Sequence, residues 1–321
     1  MTFTSVNHPA VLYHAVSSYQ LLEVMLHRLV MHPRNKAVLL LPDFIKAKYP
    51  QYRKLTHRFF DRVYLFPYLH IPHKSEKQIL TDTSCHVREI FPDGLSSFSN
   101  VYVAGAHFYF SLYLIHSRIP FVFFEDAAGM LSRPDELYSA LSSKYPLHAA
   151  IARKHGLFDG SHPLIHQVVC LKKAQTRDVS ETRYLDFSVE DTLMALPVKD
   201  RNALIRFFLH HRIRSDAEAI LLTQQFSDLG LLHREEQIRL YESLRDGALR
   251  GVRLIIKKHP DDTLSYTSVF PGAAVINEIF PAELLPFVFR KKPEIIYTWD
   301  STSCENLRKH FLIRKLGDSI W

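Results

Sequence analysis

Two adjacent carboxylates stand directly after a short apolar run. Phe121–Phe124 is followed by Glu125 and Asp126, and then by small residues up to Gly129. Paired acids raise one another's pKa, which suits a general base that works near neutral pH. Small residues allow a substrate or the backbone to approach closely. The same pattern also fits a solvated strand end in which one acid caps the next helix.

A second apolar run ends in two lysines, His259 and Pro260. Proline fixes the exit path of the chain, so the direction of the imidazole is held. A histidine flanked by lysines suits a phosphate or a leaving-group oxygen. Lys257 and Lys258 point in opposite directions on a strand, so at most one of them faces a ligand. A surface loop with incidental basic residues is the alternative.

Three hydroxyl side chains, Ser301, Thr302 and Ser303, follow another predicted strand and precede a helix. Hydroxyls and free backbone N–H groups at a helix start form an anion site. Simple N-capping by Ser301 or Ser303 explains the same residues.

Two further segments carry hydrogen-bonding side chains. Glu283 lies in the first turn of a helix that Pro281 begins. It either stabilises that helix electrostatically or accepts two hydrogen bonds from ribose hydroxyls. Thr223 and Gln224 end a predicted strand, where they either contact a ligand or form an ordinary polar loop.

Alternating strands and helices position these segments, which predicts an α/β fold. The predicted strands are Ala10–Val16, Ala37–Leu41, Arg62–Phe66, Asn100–Ala104, Pro120–Glu125, Val168–Lys172, Ala219–Thr223, Val252–Lys257, Ala274–Asn277 and Glu294–Thr298. The predicted helices are Tyr19–Val30, Glu76–Phe91, Pro134–His155, Asp200–His211 and His233–Arg245. Open parallel sheets bind ligands beyond the carboxyl ends of their strands. The chemistry is therefore expected at strand ends.

Length and composition favour two soluble lobes. The chain has 321 residues, more than a single hydrophobic core usually holds. Of these residues 47% are hydrophobic and 23% are charged, a composition that excludes intrinsic disorder. Ala174–Asp200 is polar and irregular, so it is the predicted linker. No apolar run reaches the ~20 residues of a membrane span. The start of the chain lacks a signal peptide pattern, and three separated cysteines favour a reducing cytoplasm.

The order of the motifs resembles that of bacterial sialyltransferases and polysialyltransferases. Their pattern is an acid pair with Gly, then His-Pro, then a Ser/Thr motif, each beyond a strand. His14–Leu22 and Ala219–Glu236 also look like the first strand–turn–helix and the start of the C-terminal lobe in that family. The resemblance covers most of the chain, although residues 130–215 match only in length. Ala127 stands where the family has Gly, which leaves the choice of base between Glu125 and Asp126 open.

The resemblance implies a GT-B fold, two Rossmann-like lobes facing a central cleft. Residues 1–175 would form the acceptor-side lobe and residues 176–321 the CMP-binding lobe. The implied activity is inverting transfer of a sialic-acid-type sugar from a CMP-activated donor to a glycan hydroxyl of capsule or lipooligosaccharide.

The resemblance also implies a role for each motif. Glu125 is the first choice as base and Asp126 the second, while His259 stabilises the departing phosphate. The implied donor-binding residues are Thr223, Gln224, Lys258, His259, Pro260, Glu283, Ser301, Thr302 and Ser303. Ser17 and Ser18 would contact the acceptor. No metal or other cofactor is expected, since no Asp-x-Asp motif appears.

Other functions stay open from the sequence. Another CMP- or CDP-activated donor, such as Kdo or a polyol phosphate, would suit the same motifs. A net charge of +7 implies an anionic partner, but no basic stripe interleaved with aromatics indicates nucleic acid. A structural or regulatory protein on a GT-B fold would explain Ala127. Expected partners are the donor and a glycan or glycolipid acceptor, with a homodimer and peripheral contact with the anionic inner membrane left open.

Overall fold

Two compact units make up the chain, Met1–Leu196 and Pro197–Trp321. The computed structural model describes residues 9–171, 183–228, 230–299 and 301–316. The predicted boundary between residues 175 and 176 lies outside these ranges.

The first unit contains a seven-stranded sheet in which every pairing is parallel. Its strands are β1 Ala10–His14, β2 Ala37–Pro42, β3 Arg62–Phe66, β4 Phe98–Ala104, β5 Phe121–Phe124, β6 Ile165–Cys170 and β7 Tyr184–Asp186. The strand order is β3-β2-β1-β4-β5-β6-β7. The order reverses between β1 and β4, which makes the carboxyl edge at that point the expected ligand site.

Continuous apolar runs form the central strands because helices cover a parallel sheet on both faces. Every residue of Ala37–Pro42 and of Phe121–Phe124 is buried. The helices of this unit are α1 Ser18–Met31, α2 Ile45–Lys48, α3 Glu76–Ile90, α4 Tyr109–His116, α5 Pro134–Lys144, α6 Pro146–Lys154 and α7 Val189–Ala195. Short 3-10 helices lie at Tyr52–Leu55, Tyr68–His70 and Met130–Ser132.

The predicted helix Pro134–His155 consists of two helices, α5 and α6. Tyr145 separates them with φ −136° and ψ 67°. Pro146 follows directly, and a residue before proline is disfavoured in the helical region. Pro146 itself occupies the first turn of α6, where its missing N–H costs nothing.

The second unit repeats the architecture on a smaller scale. Its parallel strands are β8 Ala219–Leu222, β9 Leu254–Lys257, β10 Ala274–Ile276, β11 Ile295–Thr298 and β12 Leu312–Lys315. The order is β10-β9-β8-β11-β12, so it reverses between β8 and β11. The helices are α8 Val198–Phe208, α9 Arg234–Asp246, α10 Tyr266–Val269, α11 Leu285–Val288 and α12 Cys304–Leu307, with a 3-10 helix at Ala282–Leu284.

The predicted linker was wrong in the part that the structure describes. Tyr184–Asp186 pairs with β6 as an edge strand, and Val189–Ala195 is a helix that packs near α1. A three-residue strand with one neighbour leaves too short an apolar pattern to detect.

None of the helices in the described ranges has the length and apolar character that crossing a bilayer requires.

Candidate active site

The acid pair lies at the carboxyl edge of the first sheet, beside the reversal in strand order. The register places His14 opposite Val103, and Ala104 opposite Phe124. Strands β1, β4 and β5 therefore end at nearly the same level. The segments that follow them, which include Glu125, can converge because all three strands run in the same direction.

Glu125 is a buried carboxyl whose two oxygens differ in their hydrogen bonds to the described residues. The residue is 1% exposed. Oε1 accepts hydrogen bonds from the backbone N–H groups of Leu171 (2.9 Å) and Gly129 (3.1 Å). No partner for Oε2 appears among the described residues. Burial raises the pKa of Glu125 to about 7, and the neighbouring charge of Asp126 adds to that rise.

Asp126 is oriented by two side chains that the sequence motifs did not include. Gln20 Nε2 donates a hydrogen bond of 2.9 Å to Asp126 Oδ1. His107 Nδ1 lies 3.3 Å from the same oxygen, within ion-pair distance but outside good hydrogen-bond geometry. The His107 ring stacks against Phe158, with centroids 6.1 Å apart. Asp126 therefore has a fixed direction, while its Oδ2 has no partner in the described part of the chain.

The turn between β1 and α1 fixes the amide of Gln20. Ser17 caps α1, since its hydroxyl accepts a hydrogen bond from Gln20 N. Gln20 Oε1 accepts from the N–H groups of Val16 (3.0 Å) and Ser17 (3.2 Å). With its oxygen committed to donors, the amide presents its NH2 group to Asp126. Ser18 is buried, and Ser17, the other expected acceptor contact, uses its hydroxyl as a helix cap.

In the second unit, the side chain of Thr223 does not face solvent but stabilises the His-Pro turn. It is buried, and its Oγ1 accepts a hydrogen bond of 3.1 Å from His259 N. The same hydroxyl donates to Asp262 Oδ2 at 3.0 Å. Tyr266 donates to that carboxylate oxygen at 2.6 Å. Thr223 and Asp262 thus join the ends of β8 and β9 in one buried network.

A hydrogen bond within the His-Pro turn determines the tautomer of neutral His259. Nδ1 accepts a hydrogen bond of 3.2 Å from Asp261 N, so the ring proton of the neutral form belongs on Nε2. His259, Lys258 and Pro260 are all half-buried. This edge of the sheet therefore presents a ring N–H donor and a lysine on neighbouring residues.

A buried polar cluster surrounds Glu283. Burial raises the pKa of Glu283 to about 7, while the side chains of Asn306 and Ser303 and the charge of Lys257 oppose that rise. Lys257 is also buried, and loss of solvation lowers its pKa to about 8 despite Glu283. The structure thus brings Glu283 and Ser303 close together. It adds Lys257 and Asn306, which sequence reasoning left out.

The remaining predicted donor-binding residues are neighbours in sequence of Thr223 and Ser303 and make fewer contacts. Ser301 and Thr302 are half-buried. Helix α12 is a single turn, and Ser303 makes no capping hydrogen bond, so capping does not account for Ser303. Gln224 is half-buried, and its backbone N–H donates to the Tyr241 hydroxyl at 2.9 Å.

Comparisons with known proteins concern the fold. No family model matches the chain. An uncharacterized protein of Haemophilus influenzae is 35% identical over 77 residues, which are 24% of this chain and 25% of that protein. The chain thus matches about a quarter of the length of this curated relative.

Solved structures resemble nearly the whole chain. A Medicago truncatula UGT complexed with UDP-glucose has a TM-score of 0.58 at 13% identity, covering 98% of this chain and 81% of that one. The UDP-GlcNAc 2-epimerase of Methanocaldococcus jannaschii, in complex with UDP-GlcNAc and UDP, has a TM-score of 0.55 at 12% identity, covering 92% and 80%. The chain has the GT-B fold. The expected fold class is confirmed.

In this GT-B chain, Gln20 is absent from the predicted site residues, although a local sequence pattern indicates its position. Ser17 and Gln20 form a capping box, which the spacing Ser-x-x-Gln predicts. No local sequence pattern indicates the roles of His107 and Asn306, because each meets its neighbours only when separate strands end side by side.

Proposed function

We propose that this chain is an inverting glycosyltransferase that uses a nucleotide-activated sugar. The observation that carries the proposal is Glu125, a buried carboxyl with a pKa of about 7 beside a second carboxylate. A general base works best when its pKa lies near the operating pH. Its position beside the strand-order reversal is where open parallel sheets bind ligands.

In the proposed reaction, the acceptor hydroxyl loses its proton to Glu125 as the new glycosidic bond forms. Oε2 is the receiving atom, because Oε1 already accepts two backbone hydrogen bonds. Asp126, held by Gln20 and His107, keeps a second carboxylate at the same place. The bond from the anomeric carbon to the phosphate oxygen breaks in the same displacement, and the electron pair leaves with the nucleotide.

Residues of the second unit would stabilise the departing nucleotide. His259 would donate its Nε2 proton in a hydrogen bond to the phosphate, and Lys258 adds a positive charge nearby. Ser301, Thr302 and Ser303 would bind the remaining phosphate oxygens. Glu283 would accept hydrogen bonds from the ribose hydroxyls, with Thr223, Gln224 and Pro260 supporting the turns on either side.

The donor we propose is a CMP-activated nonulosonic acid, and the acceptor a cell-surface glycan. The order of the sequence motifs supports CMP. A UDP-sugar is the second candidate, favoured by the UDP and UDP-sugars named with the similar structures. A different CMP- or CDP-activated donor would use the same residues.

A donor screen tests the proposal. The full chain is incubated in EDTA with CMP-sialic acid, CMP-Kdo, CDP-activated polyols and UDP-sugars, with and without glycan acceptors, and nucleotide release is measured by mass spectrometry. We expect CMP release from CMP-sialic acid that acceptors accelerate. Release of UDP alone would transfer the proposal to the second candidate. Release of no nucleotide from any donor would contradict glycosyl transfer altogether.

A further inference from the structure

We propose that Glu76, His116 and His155 form a binding site for a divalent late first-row transition metal, represented by Zn²⁺. The three residues come from α3, from the end of α4 and from the residue after α6. None of the three is among the residues assigned to catalysis or donor binding above. The inference therefore stands or falls independently of the proposed function.

Three ligand atoms of the right type converge at this position. One oxygen of Glu76, and one ring nitrogen each from His116 and His155, lie within 4.8 Å of one another. His155 Nε2 is 2.8 Å from Glu76 Oε1, and His116 Nε2 is 3.8 Å from the same oxygen. Ligands about 2.0–2.2 Å from Zn²⁺ stand roughly 3–3.5 Å from each other. Small side-chain movements would bring these atoms to that spacing.

Lys154 pairs with the second oxygen of the same carboxylate. Its Nζ lies 2.8 Å from Glu76 Oε2, whereas both imidazoles pair with Oε1. Oε1 remains the common neighbour of both histidines. A metal ion would replace the hydrogen bond between His155 Nε2 and Glu76 Oε1.

The ligand set selects the class of metal. Two imidazole nitrogens and one carboxylate oxygen suit Zn²⁺, Co²⁺ or Ni²⁺, whereas Mg²⁺ and Ca²⁺ prefer oxygen ligands alone. Three protein ligands leave at least one coordination position for water. Since the ligands belong to three separate helical segments, the ion would cross-link the helices on this side of the first unit.

Zn²⁺ binding to the full-length chain, with any affinity tag removed, tests the site. The matched pair of variants is His116→Ala and His86→Ala. His116 is 43% exposed in its side chain, so its loss should leave the fold intact. His86 pairs with a single carboxylate, Glu89, and so provides a control among the 19 histidines of the chain.

We expect one equivalent of Zn²⁺ to bind wild type and His86→Ala, but not His116→Ala, in calorimetry. Free Zn²⁺ at about 100 times its Kd should raise the Tm of the first two proteins by about 5–10 °C, and Mg²⁺ should not. Bound Co²⁺ should give visible absorption bands that His116→Ala lacks. Equal Zn²⁺ stoichiometry in all three proteins, or no binding at all, would reduce the cluster to an ion pair and overturn the proposal.

Discussion

Glu125 combines interactions with the backbone N–H groups of Leu171, Gly129 and Leu131, which favour the ionised carboxylate, with burial, which opposes it. Burial is the larger effect, and the pKa rises to about 7. The chain could place a neutral Gln at this position and keep both hydrogen bonds from Leu171 and Gly129. A carboxyl retained at this cost to stability is what a catalytic role predicts.

The Glu125→Gln variant should stabilise the protein at high pH. A carboxyl whose pKa rises from 4.5 to about 7 on folding binds more protons in the native state, so the free energy of unfolding falls as pH rises between those values. The loss reaches about 3 kcal/mol above pH 7. Urea unfolding at pH 5 and pH 8 should show a clear gain for the variant at pH 8 and little at pH 5. An equal difference at both pH values would refute the raised pKa.

His259→Ala should lower kcat more than it weakens donor binding. The leaving phosphate gains negative charge as the glycosidic bond breaks, so a hydrogen bond from Nε2 strengthens in the transition state. Loss of one such donor typically costs about 10²–10³ in rate. Single-turnover rates, donor Kd and Tm are measured on one preparation. An unchanged rate with a lowered Tm would return His259 to a structural role in its turn.

At the scale of elements, the close approach of β4 to the β1–α1 turn sets the position of Asp126. Gly105 follows β4 with φ +76°. A Cβ at this residue would lie 2.4 Å from Val16 Cγ2 and 2.9 Å from Gln20 Oε1. The glycine therefore lets the turn, and with it the amide that holds Asp126, pack directly against the end of β4.

Gly105→Ala should destabilise the first unit and reduce turnover, because the new methyl group displaces Val16 and Gln20. Gly94→Ala is the matched control. Gly94 has φ +73°, but among the described residues only its chain neighbours come within 4 Å of the point where a Cβ would stand. Both variants carry the cost of a left-handed backbone. The excess for Gly105 should be about 1–3 kcal/mol, typical of overpacking. Equal Tm and activity in the two variants would show that the turn does not depend on this contact.

The sequence predicted the central strands of both sheets well, because β2 and β5 are continuous apolar runs with polar ends. It missed β12, an edge strand whose Arg314 and Lys315 face solvent. It also missed α4, because Tyr109–His116 is apolar nearly all round and has no amphipathic pattern.

The sequence predicts which site residues follow each strand, but not which of these residues contact one another. Glu125 and His259 stand out because each directly follows a buried run. The link from Thr223 to Asp262, and the closeness of Asn306 to Glu283, join residues far apart in the chain. Such contacts depend on which strands are neighbours in the sheet, and local spacing carries no information on strand order.

At the scale of the whole molecule, the described residues of each unit form one sheet with one reversal of strand order. The reversal lies between β1 and β4 in the first unit and between β8 and β11 in the second. The proposed base and the proposed nucleotide-binding residues thus occupy equivalent edges of different units. Loss of the proposed base should therefore leave donor binding intact.

The most direct measurement compares turnover and donor affinity in Glu125→Gln, Asp126→Asn and the control Asp135→Asn, whose carboxylate pairs with Arg153 at the surface. Loss of the base should lower the rate by about 10²–10⁴ in Glu125→Gln, while donor Kd stays as in wild type. Asp126→Asn should have a smaller effect, and Asp135→Asn none. Near wild-type turnover in both Glu125→Gln and Asp126→Asn, at saturating donor and acceptor, would contradict the assignment of the acid pair as the catalytic base.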